Sequence, residues 1–125
     1  MQFRLRTSGK TANIIKELQG KTNITPNILA RLSISISLLD PGQIDPTPLE
    51  NPVGLEFNRH TLTGSYDVIY KVLMSQHAGR YLTDEEYFPV YFNRHLERGI
   101  PKLKNEFDYA GNAEKFLISL FELIG

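Results

Sequence analysis

Between residues 40 and 56 the chain places Pro41, Pro46, Pro48 and Pro52 alongside Gly42 and Gly54. Proline fixes φ and lacks the amide hydrogen that a helical turn or a sheet ladder needs, so no regular element survives that density of punctuation. The stretch divides the chain into an N-terminal part, 1–39, and a longer part, 57–125, joined by one long loop. Helical periodicity runs on both sides of it. With 125 residues, 41% of them hydrophobic and 22% charged, the whole reads as one ordinary globular domain.

Gln2-Phe3-Arg4-Leu5-Arg6 alternates polar and apolar side chains, the period of a half-buried strand with Phe3 and Leu5 inward and Gln2, Arg4 and Arg6 outward. No obvious partner strand follows within the chain. A lone strand cannot satisfy its own backbone, so it is expected to pair with another chain or to lie on its own helices. After Thr7-Ser8-Gly9, the residues Ile14, Ile15 and Leu18 make one helical stripe, with Lys10, Asn13, Glu17 and Lys21 away from it. Gly20 marks the expected end of that helix. Thr25-Pro26 is a start signal, a cap followed by proline at the first helical position. Leu32 to Leu38 alternates strictly with serine, as a strand would, yet Leu29, Leu32, Ile36 and Leu39 also make a helical stripe that continues back to the cap. We read a helix.

Downstream, Tyr66, Ile69, Tyr70 and Leu73 predict a helix over 65–76. Thr83 with Glu86 three residues later is a capping box opening another. Pro89 is expected to kink or split that helix before a further one over 93–105. Phe116, Leu117, Leu120 and Leu123 give the last, over 112–124. The expected fold is mainly α: a short N-terminal strand, a helix pair and a C-terminal helical bundle, within one domain over 1–125. Its parts are a basic segment (1–39), the Pro-rich loop (40–56) and a helical part (57–125).

Fourteen Lys and Arg balance fourteen Asp and Glu. Neutrality argues against a nucleic-acid partner until the charges are placed. Residues 1–31 carry a net +5, with Glu17 their only acid, and residues 32–125 carry −5. The chain is polar along its length, and a neutral total is compatible with one basic face. There is no cysteine, which removes disulfides, thiolate metal sites and sulfur nucleophiles. No run is apolar enough to span a bilayer or serve as a secretory h-region, so a cytoplasmic protein with no membrane partner is expected.

Gly9-Lys10-Thr11 and Gly20-Lys21-Thr22 look like phosphate loops, but a Walker loop needs a glycine where Arg4 and Ile15 stand. No nucleotide cofactor follows from them. His60, His77 and His95 do not fall at the i, i+4 spacing of ligands on one helix face, and no metal is expected. Phe57-Asn58-Arg59-His60 recurs as Phe92-Asn93-Arg94-His95, with neighbours that do not align.

A strand followed by two helices resembles the ribbon-helix-helix arrangement, in which strands pair across a dimer and present their outer side chains to DNA. Here those would be Gln2, Arg4 and Arg6, and a transcriptional repressor of that type is the alternative reading. A module docking an acidic protein surface is another.

Three stretches resemble a specific family. Arg4-Leu5-Arg6-Thr7 with Lys10, the run Thr22-Asn23-Ile24-Thr25-Pro26-Asn27-Ile28-Leu29-Ala30-Arg31, and Glu56-Phe57-Asn58-Arg59-His60-Thr61-Leu62-Thr63-Gly64-Ser65-Tyr66-Asp67 resemble DndE, the small subunit of bacterial DNA sulfur modification. That resemblance implies a non-catalytic, double-stranded DNA-binding scaffold, with a preference for nicked duplex. It would belong to the machinery that replaces a non-bridging phosphate oxygen with sulfur. It implies a homotetramer working with other sulfur modification subunits, and no cofactor of its own. The DNA-binding residues it suggests are Arg4, Arg6, Lys10, Lys16 and Lys21. Lys21 leads, because Gly20 is expected to let a loop there adapt to a phosphate. Arg31 is as well suited to pairing with an acid, and Asn58, Arg59, Tyr66 and Asp67 to structural work.

Overall fold

The N-terminal strand finds its partner within the chain. β1 (Arg4–Arg6) pairs antiparallel with β2 (Glu56–Asn58), setting Leu5 opposite Phe57, and both side chains are buried. The ladder extends through Thr7, whose N–H donates to the Leu55 carbonyl (2.9 Å) and whose carbonyl accepts from Gly54 (2.8 Å). This corrects the expectation of an unpartnered strand and removes the cross-dimer ribbon. The computed structural model describes residues 4–124; Gln2 and Phe3 lie outside them.

α1 (Gly9–Thr22) is capped by Ser8, whose hydroxyl accepts from the Thr11 amide (3.1 Å), and it buries Ile15 and Leu18. It runs past Gly20. The Thr22 hydroxyl donates to the Leu18 carbonyl (2.7 Å), and Asn23, left-handed at φ 60°, closes the helix by donating to Gln19. Asparagine tolerates that region because its short side chain bonds locally, so it does the work expected of Gly20.

α2 (Pro26–Leu39) begins at the Thr25-Pro26 signal. Its serines are compatible with a helix because Ser33 and Ser35 donate to the carbonyls of Ala30 (2.7 Å) and Arg31 (3.2 Å). The Pro-rich loop then crosses the surface, pinned by buried Ile44 and by Arg94, which donates to the Thr47 carbonyl (2.7 Å).

α3 (Arg59–Thr63) leads through a 3₁₀ turn, Gly64–Tyr66, into α4 (Asp67–Ala78). The stripe that announces this helix is divided: Tyr66, Ile69 and Leu73 are exposed, Tyr70 is half-buried with its ring edge-on to Phe92 at 5.6 Å, and within α4 only Met74 is buried. The capping box forms with both of its bonds, Glu86 N–H to Thr83 Oγ1 (3.3 Å) and Thr83 N–H to Glu86 Oε1 (3.0 Å), and starts the short α5 (Asp84–Glu86). Pro89 does not split the chain there. It sits in a π-helical turn, Tyr87–Phe92, whose wider coil accommodates the missing amide and buries Tyr87, Phe88, Tyr91 and Phe92. α6 (Asn93–Ala110) follows without a break and outlasts its expected end, with Pro101 inside it and left-handed Gly111 (φ 88°) closing it. α7 (Ala113–Ile124) packs Phe116 and Leu120 onto α6, where Phe116 meets Phe107 edge to face at 5.4 Å.

α6 lies along α2 at a separation only glycine permits. A Cβ on Gly99 would stand 1.9 Å from the Ser33 carbonyl oxygen, which is backbone and cannot step aside. Beside this contact, buried His95 shares a hydrogen bond through Nδ1 with the Ser37 hydroxyl (2.8 Å), which also accepts from Arg98 Nε (2.8 Å). His95 Nε2 has no partner among the described residues. The His77 ring stacks edge-on at 4.9 Å. Burial, with His77 and Arg98 adding to it, pushes the His95 pKa down to about 3.

Two outcomes follow. Gly99→Ala forces α2 and α6 apart and is expected to cost about 2–3 kcal/mol, read as a fall in Tm on the order of 10 °C. For His95 the folded state binds its proton less well than the unfolded chain. Its contribution is therefore complete above the unfolded value near 6.5 and is lost as pH falls from there toward 3, at up to about 1.4 kcal/mol per pH unit. Unfolding free energies measured between pH 7 and pH 5 should show that slope, and His95→Gln should flatten it.

Candidate nucleic-acid interface

The five basic residues that the sequence singles out fall on two adjoining elements. Arg4 and Arg6 occupy the exposed positions of β1, and Lys10, Lys16 and Lys21 project from the exposed side of α1. On a helix of 3.6 residues per turn, Lys10 and Lys21 lie within about 20° of one stripe and about 16 Å apart, with Lys16 rotated roughly 120° away from Lys10. Lys21 lies in the last turn of α1 rather than in a loop, which corrects the role expected of Gly20.

Their electrostatic situations differ. Arg4 and Arg6 share one acid across the ladder, Glu56, at 3.6 and 3.7 Å, and Arg6 also donates to the Gly54 carbonyl (2.9 Å). Lys21 reaches Glu17 at 3.9 Å and stands over the Phe107 ring at 5.7 Å. Lys10 and Lys16 form no ion pair with any described residue and are exposed. Arg31 is structural, though not by meeting an acid: it donates to the carbonyls of Leu62 (2.7 Å) and Thr61 (2.9 Å), tying α2 to α3.

The amide end of α1 is already engaged. Ser8 donates from its N–H (3.0 Å) and its hydroxyl (2.7 Å) to the carboxylate of Glu97 on α6. That carboxylate complements the positive end of the helix dipole, so the cations α1 still offers an anion are its lysine side chains. From the other half of the chain, Lys104 of α6 reaches Glu17 at 3.1 Å. Sequence reasoning missed it, because nothing local signals that α6 crosses α1.

Asn58, Arg59 and Asp67 form a structural knot. Asn58 caps α3 by accepting from His60 N–H (2.9 Å). Arg59, 4% exposed, grips Asp67 with both arms (3.0 and 2.6 Å) and lies over the rings of Tyr87 and Phe88. Thr63 and Tyr87 hydroxyls also donate to Asp67 (2.9 and 3.0 Å). Burial raises the Asp67 carboxyl, and its bonds from Arg59, Thr63 and Tyr87 outweigh that and hold it below the usual carboxylate value. Tyr66 stays exposed and outside the knot.

Other features offer less to an anion. A groove of about 630 Å³ between the start of α2 and α7 is walled by Ile24, Ile28, Leu32, Leu117, Leu120 and Phe121. Among the described residues no three His, Asp or Glu gather as metal ligands, and no helix is long and apolar enough to cross a membrane.

The chain matches the family model described as DNA sulphur modification protein DndE over residues 4–110. Among solved structures it is similar to DndE from Escherichia coli B7A, described as involved in DNA phosphorothioation modification. The identity is 26% and the TM-score 0.66, over 82% of this chain and 97% of that one. It also shares its fold with a glycine-to-lysine mutant of DndE involved in DNA phosphorothioation, 24% identical with a TM-score of 0.59, over 81% of this chain and 98% of that one. Among curated proteins no significant match is found. The matched span ends at Ala110, the last residue of α6, so α7 lies beyond it.

Proposed function

The chain belongs to the DndE family of DNA sulphur modification proteins, and on that ground we propose that it is a non-catalytic subunit gripping the backbone of double-stranded DNA, nicked duplex above all. The observation that carries this reading is the α1 surface. Lys10 and Lys16 are exposed cations with no carboxylate partner among the described residues, and Lys21 shares the stripe of Lys10. A stripe about 16 Å long exceeds the roughly 12 Å width of the major groove, so its two ends suit phosphates on opposite strands. Arg4 and Arg6 add charge at the adjoining sheet edge, softened by Glu56. Such contacts position a protein on DNA without reading its sequence.

The zero cysteine count supports a scaffold rather than a sulfur carrier. This chain cannot hold a persulfide, so sulfur delivery and insertion fall to partner subunits of the modification machinery, working beside the DNA in the cytoplasm.

A homotetramer completes the proposal. Val68, Ile69, Val72 and Leu73 form a row along α4 with exposures of 71, 53, 59 and 41%. Branched apolar side chains grouped this way on a surface mark an association face. Four copies joined there would multiply the α1 cations while the assembly stayed neutral overall.

Binding of nicked and intact duplexes of one sequence, titrated at two salt concentrations, tests the reading. Affinity should fall steeply with salt. The combined Lys10→Ala, Lys16→Ala and Lys21→Ala variant should weaken binding to unrelated sequences alike and shallow the salt slope by about one for each phosphate it no longer neutralises. Unchanged affinity would remove these lysines from the interface. Separately, Val72→Glu should reduce the mass measured by light scattering from that of four chains to a smaller species.

A further inference from the structure

Glu17 is the only acid among the first 31 residues, and the fold sets it in the middle of the basic face. On α1 it lies between Lys10 and Lys21, close to their shared stripe. Its Oε2 is approached by Lys21 at 3.9 Å from the same helix and by Lys104 at 3.1 Å from α6. Two ammonium groups from different helices therefore converge on one carboxylate oxygen. Lys104 is steadied from behind by Asp108 (2.8 Å) and Lys21 by the Phe107 ring. All three side chains keep contact with solvent, Glu17 at 40%, Lys21 at 51% and Lys104 at 32%.

Resting on the backbone-binding reading above, we propose that Lys21 and Lys104 form a two-lysine seat for a DNA phosphate, and that Glu17 fills this seat in the free protein as an internal stand-in for the phosphodiester. A non-bridging phosphate oxygen would take the place of the Glu17 oxygen between the two ammonium groups, paired with both by charge. Solvent-accessible ion pairs of this kind contribute little, so an incoming phosphate displaces the carboxylate at little cost. The displaced Glu17 stays on the same face and repels the backbone, which restrains affinity. Lys104 thereby carries the interface from α1 onto α6.

Glu17→Gln keeps the shape and removes the charge, and Lys104→Ala removes one wall of the seat. Glu17 is exposed and Lys104 half-buried, and circular dichroism and Tm check that the fold is unaltered. Binding to nicked and intact duplexes across a salt series should show Glu17→Gln tightening several-fold to tenfold with a slope steeper by about one, and Lys104→Ala weakening with a slope shallower by about one. If the wild type binds, and the triple α1 lysine variant does not, while Glu17→Gln and Lys104→Ala bind as the wild type does, the seat is overturned and the backbone reading stands. If neither wild type nor Glu17→Gln binds duplex at low salt, both fall. A wild type that fails to bind beside a Glu17→Gln variant that binds would support the stand-in directly.

Discussion

The fold hangs on the close approach of α2 and α6 at Gly99 and Ser33. With no side chain on Gly99, the two backbones reach contact, and α6 becomes a rod to which α1, α7, the end of β1 and the Pro-rich loop attach. Through Glu97 it fixes the first turn of α1, and through Asn93 Nδ2, which donates to the Arg6 carbonyl (3.0 Å), it holds the end of β1. Arg94 and Arg98 bind the carbonyls of the Pro-rich loop, including those of Thr47 and Gly42, in place of the regular ladder that prolines deny it. Its last turns carry Phe107 under α7 and Lys104 toward α1. A shift of α6 would therefore move every surface on which the candidate interface is built.

That attachment explains why charge along the sequence and charge in space differ. The N-terminal third carries the surplus of cations, but folding brings Glu56 from beyond the loop onto Arg4 and Arg6, and Lys104 from α6 onto Glu17. The sheet arginines lose part of their surplus, and α1 gains a neighbour. Position in the sequence thus identifies the basic region, while the fold decides which cations in it are available.

Local signals were readable and long-range pairings were not. Thr25-Pro26 and the Thr83–Glu86 capping box act within one turn of chain, so the residues that make them are adjacent and legible. The pairing of β1 with Glu56-Phe57-Asn58 was hidden, because three residues are too few to display alternation and the loop separates the partners. α4 shows a further limit of periodicity. It announces an apolar stripe without saying which side meets the core, and here Ile69 and Leu73 face out. Gly20 misled for a conformational reason: a glycine near a helix end is only one way to stop it, and Asn23 reached the left-handed region instead. In the candidate interface, the α1 lysines were legible as a run of like charge, whereas Lys104 depended on a helix crossing that no local pattern records.

The ion pairs of this molecule can be ordered by how readily a competing anion could take the cation. Arg59 stands at one end. Its guanidinium is buried against two aromatic rings with Asp67 in a two-armed bond, and separating such a pair costs about 3–5 kcal/mol because a buried charge is left uncompensated. It belongs to the architecture although it lies in one of the stretches that resemble the family. Arg4 and Arg6 divide one half-exposed Glu56 and come next. Lys21, with Glu17 at 3.9 Å, is easier to release, and Lys10 and Lys16 form no ion pair with any described residue. A polyanion would meet these groups in the reverse of that order, α1 first and the sheet edge later. The motif residues would then hold the scaffold still while the least constrained lysines make the contact.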